Sequence, residues 1–98
     1  MSELTRDDFA AQLNTTFDIF LTDDAAVEAE LIEVTEQRKL GKAEGFAILF
    51  LAPLTAPIIQ QNCKVEHPTL GSFELFLVPV GQNEAGIQYE SVFNRLVD

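Results

Sequence analysis

The sequence predicts an α+β domain that is mainly antiparallel β: about six strands in a curled sheet or small barrel, with one short N-terminal helix. Three observations carry this. Apolar and polar residues alternate with period two along most of the chain from Thr16 onward. Each connection between those stretches is too short for a helical crossover, so neighbouring strands pair antiparallel. Helical spacing with a start signal occurs at the N-terminus, within residues 5–14. The chain of 98 residues predicts a single domain over 1–98.

The helix is read over about 5–14. Thr5 caps it, Asp8 three residues on completes an acidic capping box, and Leu4 with Phe9 forms a hydrophobic staple. Asp7 and Asp8 suit the positive end of the helix dipole. Phe9, Ala10 and Leu13 fall on one face, and Asn14-Thr15-Thr16 ends the helix. At about three turns it is too short to stand alone, so it must lie on an apolar surface.

The first strand falls within 16–21, with Phe17, Ile19 and Leu21 on one side, and Thr22-Asp23-Asp24 turns the chain. The second falls within 26–36. Val27, Ala29 and Leu31 alternate with glutamates until the phase slips, after which Ile32 and Val34 alternate. A bulge near Leu31-Ile32 lets both sets face inward. An amphipathic helix over 25–36 is the rival reading, because Ala, Glu and Leu favour helices, but two period-two stretches match better than one 3.6 period. Arg38 to Gly45 reads as a polar loop with two glycines and three of the six bases. The strand within 46–52 is apolar on both faces, which suits a central position, and Pro53 and Pro57 then interrupt pairing. Further strands fall within 58–66, 72–80 and 86–94, separated by a turn at His67-Pro68-Thr69-Leu70-Gly71 and a hairpin loop at 81–86.

Composition limits function. Sixteen acids against six bases give a net charge of −10, which repels nucleic-acid phosphates and anionic lipid surfaces. The acids concentrate in the first half: residues 1–45 hold 11 acids and 4 bases, residues 46–98 hold 5 acids and 2 bases. Hydrophobic residues make up 47% of the chain, too many for a disordered acidic segment. The acidic N-terminus has no apolar run of the signal-peptide kind, and no stretch approaches the roughly 20 apolar residues of a membrane helix. The expected location is the cytoplasm or a particle. One cysteine, Cys63, allows no intramolecular disulfide and reads as a buried structural thiol.

Little of the chain suits catalysis. His67 is the one histidine, and the following Pro68 holds it extended. It reads as a turn residue whose imidazole fixes the loop, against the sharper reading of a hydrolase base working with a carboxylate. Cys63 and His67 on one strand lie about 13 Å apart, too far to act as a pair. One Cys and one His fall short of a structural zinc set, and Asp23-Asp24 lacks the spaced oxygens of a calcium loop. Glu28, Glu30, Glu33 and Glu36 read as a solvated face that blunts a sheet edge. The glycines are scattered, so no phosphate loop forms, and no serine sits in a nucleophile elbow. Tyr89 and Phe93 share a strand face and read as core, with ligand stacking as the alternative. No catalytic residue, cofactor or metal is expected.

The second half carries a recognisable pattern: His67-Pro68-Thr69-Leu70-Gly71, then Glu74-Leu75-Phe76-Leu77-Val78-Pro79-Val80-Gly81, then Gly86-Ile87-Gln88-Tyr89-Glu90-Ser91-Val92-Phe93-Asn94. It resembles a family of small uncharacterised bacterial domains, often encoded beside phage-tail-collar-like (microcystin-dependent-type) proteins. The first half is similar more loosely, through Phe9, Phe17, the Glu33-Val34-Thr35-Glu36 segment and the strand from Phe46 to Pro53. Cys63 stands where an aromatic is expected, and Ala52 where a glycine precedes the proline. The shared residues have fold-specifying roles: Gly71 and Gly86 for turns of positive φ, Pro79 for a strand end or edge, His67-Pro68 for hairpin entry, and Phe93 with Tyr89 to anchor the last strand.

The resemblance carries no assigned activity, but with an apolar, β-rich chain poor in catalytic residues it leads to the expectation of a non-enzymatic interaction module, accessory to a phage-tail-like or fibre (tail-collar) protein, with an assembly or chaperone role. The alternative is a small ligand-binding barrel with a pocket near Tyr89, Phe93 and His67. Leu49, Leu51 and Tyr89 are the candidate interaction residues. Leu49 and Leu51 lie opposite Phe46, Ile48 and Phe50 on a two-faced apolar strand, so a homo-oligomer is one outcome if the helix covers only one face.

Overall fold

The computed structural model describes residues 5–22, 25–36, 38–41, 43–56 and 60–96. One five-residue helix, α1 (Arg6–Ala10), precedes seven strands: β1 (Thr16–Phe20), β2 (Ala26–Val34), β3 (Arg38–Leu40), β4 (Ala43–Ala52), β5 (Gln61–His67), β6 (Gly71–Asn83) and β7 (Gly86–Leu96). Six of them run β2-β1-β5-β6-β7-β4, and a further β2–β4 pairing closes the ring. Every pairing is antiparallel. The result is a closed six-stranded barrel, with β3 added at the rim beside β4. With so short a helix, the architecture is better described as mainly β.

Helix α1 starts as its sequence dictates. The Asp8 amide donates to Thr5 Oγ1 at 3.2 Å, and the Thr5 amide donates to Asp8 Oδ2 at 2.8 Å, completing the capping box. Leu4, the other half of the expected staple, lies outside the described residues. The helix stops well before residue 14. Asn14 takes a φ of 68° and its amide donates to the Leu31 carbonyl at 2.7 Å, so the chain leaves the helix to meet β2. Leu13 is consequently exposed rather than aligned with Phe9.

Closure depends on two long strands that each serve two neighbours. The first half of β2 pairs with β1 and its second half with β4. Likewise β6 pairs with β5 through Leu77 and with β7 from Val78 onward. Both change partner near a bulge. In β2 the register steps from Leu31↔Phe50 to Glu33↔Leu49, leaving Ile32 as the extra residue. The phase slip in the sequence is this bulge: Leu31 is buried before it, and Val34 packs on the core after it. In β6 the step from Pro79↔Tyr89 to Gly81↔Gln88 leaves Val80 extra and half exposed. Pro79, read as a strand end or edge, lies within β6 at this bulge and past the last β5 pair at Leu77, where its missing N–H does least harm.

Two further corrections concern order. The segment Arg38–Leu40, read as loop, pairs with Gly45–Ala43. Its polar, glycine-flanked sequence hides a strand that exists because β4 offers it a ladder. The strands around residues 46–52 and 58–66 are neighbours in sequence but not in the sheet. β4 pairs with β7 over ten residues, while β5 pairs with β1 and β6.

The barrel interior is filled by side chains, as expected for this strand number. Phe17, Ile19, Leu31, Ile48, Phe50, Val65, Leu77, Ile87 and Tyr89 are among those buried. Phe9 of α1 inserts among them. Its ring lies 5.3 Å from Phe93, 5.8 Å from Phe73, 6.2 Å from Phe46 and 6.5 Å from Phe17, centroid to centroid. The helix is thus held by a fully buried ring that contacts strands β1, β4, β6 and β7, and by Arg6 Nε, which donates to the Thr35 carbonyl at 2.8 Å.

Candidate functional site

His67 ends β5 and is buried. Its Nδ1 accepts from the Thr69 amide at 3.0 Å and the Leu70 amide at 3.2 Å. Its Nε2 lies 3.0 Å from Thr15 Oγ1, which donates to the Gln12 carbonyl at 2.6 Å. These contacts assign the proton. With Nδ1 occupied as an acceptor, the neutral ring carries hydrogen on Nε2 and donates it to Thr15. A base that activates a hydroxyl needs the opposite arrangement, with Nε2 accepting. The ring also packs on Phe17 at 4.2 Å, and burial pulls its pKa below the ordinary histidine value. The geometry makes His67 a cross-link: it closes the β5–β6 turn and ties it to the segment between α1 and β1.

Asn83 repeats this device at the β6–β7 hairpin. Its Oδ1 accepts from the Ala85 amide at 2.8 Å and the Gly86 amide at 3.2 Å, the same i+2 and i+3 donors that His67 uses. The sequence drew attention to His67 but not to Thr15 or Asn83. Thr15 is far away in the chain and carried no signal. Asn83, directly before the Glu84-Ala85 turn, is readable as an Asx turn.

The other residues singled out from sequence have separate places. Pro68 is exposed in the turn and Gly71 follows it with a φ of 86°. Gly86 has a φ of 151°, and a Cβ there would collide with the Ala52 carbonyl oxygen of β4. Phe93 stacks on Phe46 at 4.7 Å and an interplanar angle of 8°. Tyr89, a candidate for an interaction surface, is instead buried inside the barrel, opposite Phe50 in register. Burial, with Cys63 as a lesser cause, raises its phenol pKa. Leu49 and Leu51 are half-buried and point outward, because Ile48, Phe50 and Ala52 take the inside positions.

The outer surface divides by chemistry. Across β2, β1 and β5, Glu28, Asp18 and Glu66 stand in one register row, with Lys64 bridging to Glu66 at 3.1 Å and lying over the Phe20 ring at 5.5 Å. Across β4, β7 and β6 the outward positions are Ala47, Leu49 and Leu51, then Gln88, Glu90 and Val92, then Phe76 and Val78. Val92 is 58% exposed and Phe76 47%. Among the described residues no three His, Cys, Asp or Glu side chains converge on a metal position, and no helix is long and apolar enough to cross a membrane.

Fold and site together define a small closed antiparallel barrel, plugged by an N-terminal aromatic and cross-linked at its turns by polar side chains. A family model for a domain of unknown function, DUF6916, matches residues 4–93, and the chain belongs to that family. No curated protein and no solved structure matches the chain significantly.

Proposed function

We propose that this domain works by contact rather than catalysis, as an interaction module accessory to a phage-tail-like or fibre (tail-collar) protein whose assembly or folding it assists. The observation that carries the reading is the outward apolar band of Leu49, Leu51, Val78, Val92 and Phe76 on β4, β7 and β6. It lies on a chain of net charge −10 whose sixteen acids put three, Glu44, Glu74 and Glu90, on these strands. Exposed apolar side chains grouped on one face mark interaction surfaces more often than singly scattered ones do. The phage-tail association rests on the resemblance of the last third of the sequence. The rival ligand-barrel reading has less behind it, because Tyr89, Phe93 and His67 are already engaged with Phe50, Phe46, Phe9, Phe17 and Thr15.

The test is co-expression with the tail-collar-like product of the neighbouring gene. A complex that survives purification, and that Leu49→Glu with Val92→Glu disrupts while the domain stays folded, supports the reading. No complex at micromolar concentration, with no gain in partner solubility, refutes it.

A further inference from the structure

The outer side of the apolar strand β4 has carboxylates on both flanks. Leu51 stands between Glu30 of β2 and Gln88 of β7, and Leu49 stands between Glu33 of β2 and Glu90 of β7. One rung further on, Ala47 lies beside Val92. The bulge at Ile32 produces this arrangement. It brings Val34 onto the core and leaves Glu33 outside with Glu30, both exposed. The outcome is an apolar line, Leu51-Leu49-Ala47 with Val92, about 13 Å long at the usual strand rise. The strands carrying Glu33 and Glu90 flank it about 10 Å apart.

Among the described residues these carboxylates have no cationic partner. Segments 26–34, 43–52 and 86–93 contain no Lys, Arg or His. Arg6 is engaged with the Thr35 carbonyl and with Asp7. Lys39 and Arg95 are register partners of Glu44, which has the inward parity of Phe46 and Ile48 rather than the outward parity of Leu49. The outer side of β1 and β5 differs, because there Lys64 bridges to Glu66 and covers Phe20. The β4 face thus combines exposed apolar surface with carboxylates that nothing described on its own strands balances.

That charge selects the occupant. A second copy docking through the same face would bring Glu30, Glu33 and Glu90 against themselves. Nucleic acid and anionic lipid are repelled for the same reason. A partner bearing Lys or Arg is attracted, and Leu49, Leu51 and Val92 give it apolar contact. Form follows from the flanking. An extended strand sends alternate side chains away from the sheet, so it cannot place bases on both sides of its apolar residues. An amphipathic helix with a narrow apolar stripe can. About nine residues of helix span the line, and Lys or Arg stems lie over the leucines while their heads reach the carboxylates.

We infer that the outer face of β4, between Glu30 and Glu33 on one flank and Glu90 on the other, docks a cationic amphipathic helix of a partner protein. The inference rests on the interaction-module reading and adds the charge and form of the partner.

The test uses the full chain and a fluorescein-labelled 14-residue peptide of Leu and Lys patterned as an amphipathic helix, followed by anisotropy. Two control peptides have Glu for Lys, or the same residues in scrambled order. Two protein variants each take the net charge from −10 to −7: Glu30→Gln/Glu33→Gln/Glu90→Gln at the face, and Asp18→Asn/Glu66→Gln/Glu84→Gln away from it. The face variant should bind the Leu/Lys peptide at least about tenfold more weakly, and the remote variant within about twofold of the native chain. Both control peptides should bind the native chain at least about tenfold more weakly. Equal loss in the two variants, which would mean attraction to net charge alone, overturns the assignment. So does equal binding of either control peptide, or no binding of the Leu/Lys peptide up to about 1 mM. A dimer in light scattering that Leu49→Glu splits also overturns it, since the face would then be covered by a second copy. If the tail-collar partner still co-purifies when the peptide test fails, the interaction module stands and the helix site falls. If the peptide binds as described and no complex forms with the tail-collar partner, the reverse holds.

Discussion

Replacing Phe9 by alanine tests whether one ring holds the N-terminal segment on the barrel. Phe9 is fully buried and its neighbours come from β1, β4, β6 and β7. Full burial of a phenylalanine side chain is worth about 1.5–3 kcal/mol of transfer free energy. Alanine retains a small part of this, and the space left behind adds a cavity cost, so buried Phe→Ala changes fall at about 3–5 kcal/mol. A domain of this size has about 5–15 kcal/mol in total, so the variant sits near the edge of folding. Urea unfolding followed by near-UV circular dichroism gives the midpoint and slope. The expected result is a much lower midpoint with a similar slope. Phe9→Leu, which keeps most of the volume, should cost less than half as much. A loss below about 1 kcal/mol for Phe9→Ala, smaller than for ordinary core truncations, would refute the plug.

Three other outcomes follow from the geometry. Gly86→Ala forces a side chain onto the Ala52 carbonyl at a φ of 151° and should cost at least about 3 kcal/mol; Gly71→Ala, with open space at a φ of 86°, should cost only about 1–2 kcal/mol, both read by chemical denaturation. His67 binds its proton less readily folded than unfolded, so its contribution to stability is complete above pH about 6.5 and is lost as pH falls below that value. His67→Asn, which keeps an acceptor for the Thr69 and Leu70 amides as Asn83 does for its own turn, should flatten the stability profile between about pH 5 and 7; an unchanged slope sinks the assignment. Turbidity across pH should peak near the sequence pI of about 4.3, and a maximum near neutrality would contradict the charged-coat reading.

Local features of the fold were legible and long-range ones were not. The capping box at Thr5 and Asp8, the bulge at Leu31-Ile32, and the positive-φ glycines Gly71 and Gly86 are all decided by a few adjacent residues, and the sequence shows them. The helix end was misread because Asn14 is captured by Leu31, a contact the helical pattern cannot announce. β3 was missed because its strand state is imposed by β4. Ring closure depends on β2 and β6 each dividing their hydrogen bonds between two neighbours, and no periodicity encodes that division. The same limit applies to the site. Alternation alone puts Leu49 with Leu51 and Phe76 with Val78 on single strand faces, but only the strand order β4-β7-β6 brings those faces side by side with Val92.

The β4–β7 ladder has a consequence for how the chain is made. The most apolar strand, Phe46 to Ala52, finds its ten-residue partner only after β5 and β6 have been synthesised. During that interval it has β2 alone to pair with, and its free edge faces the cell's other nascent chains. Non-local strand pairing is slow to form and exposes sticky surface while it waits. The interval during translation, more than the finished barrel, is when this strand is most open to wrong pairing.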